Sequence, residues 1–369
     1  MTRIISQKFR FFSFFAIAML AFVHGYNLQE TYLRPFSPVN EPMTFTTWTE
    51  YFFANGILRF RIPILFIISG YIFAQQDNKV YGERIKKRFV TLVIPLLFWS
   101  AAGLAFTYLL QQFPFTAKVV ADAGIDQLGD NRPYNEIGWG GMFVRWLLAP
   151  ASFQLWFIRV LFIYNLAYPF FKWVVKKYPL PWFIIAFTAF FINLNVFYFI
   201  EGQGLLFFSL GIWLNKTNFS MERQPRWFSL PLAWLFFIGC SVIKTFMAFE
   251  LEPYHPASIW VLSILYTSSI VAGIMAVWYG LDNVVRWCMA KKWFVKGASF
   301  SFIIYAMHVP LLCYITRLYF IALHDIPCYR ILTYILAPLT TILICVATGA
   351  LLRRFLPRIY KVITGGRGF

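Results

Sequence analysis

The chain has 369 residues, of which 60% are hydrophobic, 21% aromatic and only 13% charged. That composition, with a mean hydropathy of +0.63, excludes a water-soluble protein with an ordinary polar exterior. The 33 Lys and Arg against 15 Asp and Glu give a net charge of +18, but the basic residues are scattered over separate inter-helix segments, which excludes the one-sided footprint of a nucleic-acid binder.

A membrane-spanning helix needs roughly 20 mostly apolar residues, and the chain holds enough of them for about ten. It reads as an all-α, polytopic integral membrane bundle, a single domain over residues 1–369. Helices are predicted at 9–27, 57–75, 90–110, 153–171, 181–200, 203–214, 228–248, 257–279, 300–322 and 331–351. The first follows a basic start and lacks a small-x-small cleavage site, so it is expected to be a retained signal-anchor. Segment 111–152 is expected outside, as a loop that ends in an interfacial helix over IGWGGMFVRWLLAP. The sixth helix is short and carries Gly204 and Gly211, so a break or a cavity beside it is expected.

Orientation follows from the gaps. The N-terminus, 76–89, 172–177, 215–227, 280–298 and the C-terminal tail are basic, and the gaps between them carry most of the acids. Both termini are therefore expected in the cytoplasm. The five cysteines show neither a pairing framework nor a metal spacing, and no metal site is expected.

Ionisable residues inside spans are costly and usually have a task or a partner. His24 lies near the outer end of the first helix. Arg59 and Arg61 open the second, Arg159 lies just outside the middle of the fourth, and Lys244 and Arg317 sit in the outer halves of the seventh and ninth. At about 1.5 Å per residue most of these share one layer outward of the midplane, where they are expected to enclose a wet or anion-bearing cavity. Arg59, Arg61, Lys244 and Arg317 are equally placed to reach the outer headgroups; Arg159 is too deep for that and is expected to face inward. His24 has the acid–base chemistry of a general base, with Glu30 six residues on to orient it, although a lone histidine in a span also serves as a packing residue. Tyr305 and His308 share one stripe of the ninth helix and read as a hydrogen-bonded network.

These residues resemble a family. RFRIPILFIISGYIF (59–73), KKRFVTLVIPLLFW (86–99), QLWFIRVLFIY (154–164) and SFSFIIYAMHVPLL (299–312) are similar, in order, to segments of the acyltransferase family 3 of integral membrane proteins. FRFFSFFAIAMLAFVH (9–24) resembles that family's opening helix ending in His. Two positions depart from the pattern: the helix-one Arg is Arg10, fourteen residues before His24 rather than eleven, and Gln154 stands where many relatives have His.

The resemblance implies a membrane O-acyltransferase that moves an acyl group, usually acetyl from acetyl-CoA, to a hydroxyl of an extracytoplasmic glycan or glycolipid at the bacterial inner membrane. It implies membrane lipids, acyl-CoA and the acceptor as partners, with acyl-CoA a substrate and no bound cofactor. Under it His24 acts as general base or acyl relay, Arg159 or Arg59 stabilises the oxyanion, and Arg84, Lys87 and Arg88 hold donor phosphates. Arg10, Arg61, Tyr305 and His308 complete the expected substrate-binding set. A transporter or flippase for a polysaccharide precursor or lipid remains the alternative, because polar residues in a wet bundle equally line a translocation path. Nothing in the chain bears on oligomeric state.

Overall fold

A computed structural model describes residues 2–27, 36–130, 132–196, 199–252 and 255–368. Its helices are α1 (Arg3–His24), α2 (Phe45–Ala74), α3 (Tyr81–Leu110), α4 (Pro114–Ala123), α5 (Gly138–Leu147), α6 (Phe153–Leu166) and α7 (Tyr168–Lys177). Then come α8 (Pro179–Phe191), α9 (Gly202–Lys216), α10 (Leu230–Glu250), α11 (Pro256–Gly280), α12 (Asp282–Ala290), α13 (Lys292–Ala298), α14 (Ser301–Leu323), α15 (Tyr329–Phe355) and α16 (Pro357–Ile363). Among the described residues the only sheet is a two-residue hairpin, Asn195–Val196 with Ile200–Glu201.

The protein is an integral, multi-pass membrane protein. Every segment expected to span coincides with a helix, but not every one is long enough. Among the described residues seven helices have the length and composition to cross, or eight if α6 and α7 count as one bent span. The expected fourth helix is this pair, broken by 66° at Ala167, where Pro169 lacks the N–H that would continue the ladder. α8 and α9, at 13 and 15 residues, fall short of the fifth and sixth expected spans.

The second helix begins a dozen residues before its predicted start. Thr44 caps it, accepting from Thr47 N–H while Thr44 N–H donates to Thr47 Oγ1, and residues Phe52–Ile57 pass through as a π turn. The Gly-rich α9 is intact rather than broken. Its Gly211 and the facing Gly70 of α2 sit where a Cβ would strike the Ile67 and Phe208 carbonyls, so the glycines serve close backbone contact between two helices.

Both termini lie at one end of the bundle. Near the start of α1, Lys8 is buried, donates to the Trp278 carbonyl and pairs with Asp282 at 2.5 Å. At the other terminus, Arg353 donates to Ser299 Oγ and the Gly368 carbonyl. The end of α1 is far from these contacts: Asn27 meets Arg330 at the start of α15.

Candidate active site

The site is built where two helices, α14 and α2, lose regularity. In α14, Val309 has non-helical dihedrals (φ −112°, ψ 135°) ahead of Pro310. Proline has no N–H to return to the carbonyl four residues back, so Ala306 loses its helical partner. Gln154, at the start of α6, supplies the missing donors: its Nε2 lies 3.0 Å from the Ala306 carbonyl, 3.1 Å from that of Val309 and 3.3 Å from that of Tyr305. Tyr305 returns the contact, donating its hydroxyl to the Gln154 carbonyl at 2.7 Å.

One turn on, His308 is fully buried. Its Nδ1 lies 3.0 Å from the Ile304 carbonyl and 2.9 Å from the Tyr305 carbonyl. Carbonyls only accept, so Nδ1 carries a proton and Nε2 of the neutral ring holds a lone pair. That Nε2 is buried without a hydrogen-bond partner among the described residues.

His24 ends α1 beside it. The two imidazoles meet edge-to-face at 5.4 Å and 83°, and the other side of His24 stacks on Phe153 at 5.0 Å and 14°. His24 makes no hydrogen bond within the described residues, and it keeps accessible surface although protein surrounds it. Glu30, the expected orienting carboxylate, lies outside the described residues. The end of α1 is instead held by Glu50, whose Oε2 accepts from Asn27 N–H at 2.8 Å, and by Arg330, which donates to Asn27 and to Glu41.

Arg59 and Arg61 supply positive charge to this layer, both acting electrostatically on His24. Arg61 is buried, with Nη1 on the Leu58 carbonyl at 2.9 Å, and Arg59 is partly buried with no hydrogen bond of its own among the described residues. The π turn of α2 exposes the Asn55 carbonyl to Lys244, which is wholly buried, donates to it at 2.7 Å and lies over the Tyr51 and Tyr266 rings. Lys244 thus does not reach the headgroups. π turns recur at functional sites; this one holds Lys244 by the Asn55 carbonyl and leads into Arg59 and Arg61, the two arginines that act on His24.

Other expected residues are elsewhere. Arg159 donates to the Leu147 and Leu148 carbonyls at 2.9 and 3.0 Å, satisfying the C-terminal end of α5. Its guanidinium is committed to those carbonyls, and Arg59 and Arg61, not Arg159, are the arginines acting on His24. Arg10 is exposed and donates to the Val295 carbonyl in α13 at 3.1 Å, a whole helix away from His24.

Of the donor-phosphate trio, Arg84 is already occupied. It is buried, bonds Asp77 at 3.0 Å and the Phe73 carbonyl at 2.5 Å, and stacks over Phe73 and Tyr168. Asp77 also binds Lys172, Lys216 and the Tyr168 hydroxyl. Lys87 is exposed, and Arg88 is partly buried, its guanidinium 5.3 Å from the Phe73 ring.

Comparison with known proteins decides the family. The family model described as an acyltransferase domain (Acyl_transf_3) matches residues 10–352. The chain belongs to the acyltransferase 3 family. It is an enzyme that transfers acyl groups other than amino-acyl groups. The succinoglycan biosynthesis protein ExoH of Rhizobium meliloti (strain 1021) is 26% identical over 366 residues, covering 98% of this chain and 93% of the relative. No solved structure matches. Sequence reasoning within this acyltransferase missed Lys8, Lys244's burial and the Gln154 clasp. Only Pro310, six residues beyond Ile304 in the same helix, signalled that carbonyls there would need an outside donor.

Proposed function

We propose that this acyltransferase O-acylates a glycan or glycolipid at the non-cytoplasmic side of the membrane, taking the acyl group, acetyl in the simplest case, from a coenzyme A thioester. The reading rests on the His24–His308 pair: one imidazole half-buried and without a hydrogen bond, the other with a buried, unpartnered Nε2 among the described residues. Its orientation rests on charge. The end carrying both termini also carries Lys79–Arg88, Lys172–Lys177 and Lys291–Lys296, which by the positive-inside rule is the cytoplasmic end. ExoH is named for succinoglycan biosynthesis, which favours a polysaccharide as acceptor.

In this mechanism the donor enters from the basic end and its thioester reaches the histidine layer. The acceptor hydroxyl enters from the opposite side. His24 takes the hydroxyl proton as oxygen attacks the thioester carbonyl carbon, Arg59 and Arg61 face the charge that develops on the carbonyl oxygen, and the protonated His24 returns its proton to the departing thiolate. Such charge stabilisation in a low-dielectric site is worth several kcal/mol. Glu50 Oε1 and the Tyr334 hydroxyl, buried and unpartnered among the described residues, are the groups with bonds to offer a polyhydroxylated acceptor.

The test is acyl transfer by purified protein in nanodiscs, with radiolabelled acetyl-CoA and a cell-envelope glycan extract. His24→Ala is expected to lower transfer about 10²–10⁴-fold while the protein stays folded. Equal activity would remove His24 from the chemistry. Label retained on denatured wild-type protein, and absent from His24→Ala, would replace direct transfer by an acyl-histidine relay.

A further inference from the structure

Beyond α16 the chain turns back into the bundle. Residues 364–368 read Thr-Gly-Gly-Arg-Gly, and Gly365, Gly366 and Gly368 have φ of +60°, +76° and +84°, a region L side chains rarely occupy. Two of them also lie against backbone: a Cβ on Gly365 would collide with Thr91, and one on Gly368 with the Ser299 carbonyl. The segment is pinned on either side. Trp99 Nε1 donates to the Ile363 carbonyl at 2.9 Å and Arg353 to the Gly368 carbonyl at 3.1 Å.

This threading delivers one side chain, Arg367. Its Nη1 donates to the Thr91 carbonyl at 2.7 Å and to the Thr364 carbonyl at 3.2 Å, and the guanidinium stacks over Phe302 at 4.6 Å. It is enclosed by protein yet keeps accessible surface, as His24 does. Among the described residues the formal charge acting on it is another cation, Arg88, and no carboxylate does so. Arg88 itself has neither hydrogen bond nor ion pair among the described residues, and Asp77 is occupied by Arg84, Lys172 and Lys216. Burial first, and then Arg88, push the Arg367 guanidinium down to about 10, so it remains charged at neutral pH. Driving one guanidinium against another, with no acid between them among the described residues, costs stability. An anion would reverse that cost, and two guanidinium forks suit phosphate oxygens.

Phe302 is six residues before His308 on α14, about 9 Å along the axis. We infer that Arg367 and Arg88 together form the clamp for the phosphate groups of the acyl donor, with the C-terminal segment as the wall of the donor mouth. The inference rests on the reading of a coenzyme A thioester as donor. It replaces Arg84, already bonded, with a residue that lies outside the segments resembling the family. The thin acyl-bearing arm then runs along α14 past Tyr305 toward the histidines.

The test measures binding of coenzyme A, and separately of inorganic pyrophosphate, to the full-length protein in nanodiscs of zwitterionic lipid and of mixed anionic lipid, with no acceptor present. Arg367→Gln is expected to weaken both ligands by about tenfold or more, Arg367→Lys by less, and the exposed Arg354→Gln not at all. Arg88→Gln removes no hydrogen bond, so it should stay folded and reproduce the loss even if Arg367→Gln does not fold. Wild-type affinity in a folded Arg367→Gln, or in Arg88→Gln, overturns the clamp. If the substitutions instead abolish only a dependence on anionic lipid, the pair holds lipid headgroups and the donor assignment is overturned. Wild-type protein that binds neither ligand overturns the coenzyme A reading itself, and the clamp with it.

Discussion

Gln154 illustrates how a single amide organises a site from a distance. It carries no charge, yet its Nε2 serves three carbonyls around the break in α14, one of which also receives the His308 Nδ1 proton. A buried acceptor left without a donor costs roughly 1–3 kcal/mol. Gln154→Ala is therefore expected to lower stability by about 2 kcal/mol or more, read as a drop in melting temperature in detergent, and to lower acyl transfer further than that loss explains. Gln154→Glu should fare no better, since a carboxylate facing carbonyls offers no donor. Part of this was legible: Pro310 announces a missing hydrogen bond and Gln154 was visible as a departure from the family pattern. That one answers the other was not, because 156 positions separate them and hydrophobic patterning says only which faces are buried. The same holds for Arg159. Its depth in the chain was readable and so was the helix α5, but not that its side chain would reach the last carbonyls of that helix, which only the packing of α5 on α6 decides.

At the scale of elements, one carboxylate ties three helices together at the basic end. Asp77, in the turn between α2 and α3, joins Arg84 of α3, Lys172 of α7 and Lys216 of α9. Burial alone would raise its carboxyl, but hydrogen bonds from Lys172, Lys216 and Tyr168 outweigh it and hold the group well below the usual carboxylate range. A depressed carboxyl stabilises fully above its unfolded value of about 3.9. The stabilisation is lost as pH falls through the lower folded value. Asp77→Asn leaves three cations facing each other, and a loss of about 2–3 kcal/mol is expected, discounted from full burial because Lys172 reaches solvent. The melting-temperature gap between wild type and Asp77→Asn should stay constant from pH 7 to about pH 4.5 and close only in stronger acid; a gap that closes near pH 6 would contradict this. The sequence placed Arg84 among donor ligands because a basic run at a helix start looks alike whether its charges are free or paired. The 66° bend that brings Lys172 to Asp77 was announced by Pro169 and read past, since the apolar run continues through it.

At the scale of the whole molecule, hydropathy found a helix in each expected span, because it is a sum over many residues, but not the short helices α4, α12, α13 and α16 in the gaps. Length is where the sum and the helices differ. Short α8 and α9 lie in an apolar stretch, and counting apolar residues cannot tell a short helix packed on a neighbour from a full crossing. The two-ended architecture predicts that reagents should divide by side. A membrane-impermeant thiol reagent applied to intact spheroplasts is expected to label a cysteine placed at Asp325 and spare one placed at Lys292, with the pattern reversed in inverted vesicles. Labelling of both from one side would contradict the orientation on which the donor and acceptor routes depend.

His308 has one more consequence. Its Nδ1 is held by two backbone carbonyls of its own helix, so the ring cannot turn over without abandoning both. A proton accepted at Nε2 must leave from Nε2; it has no second nitrogen from which to move on. In the mechanism proposed above the proton travels through His24, and the fixed tautomer keeps His308 out of any relay that would need its ring to turn over.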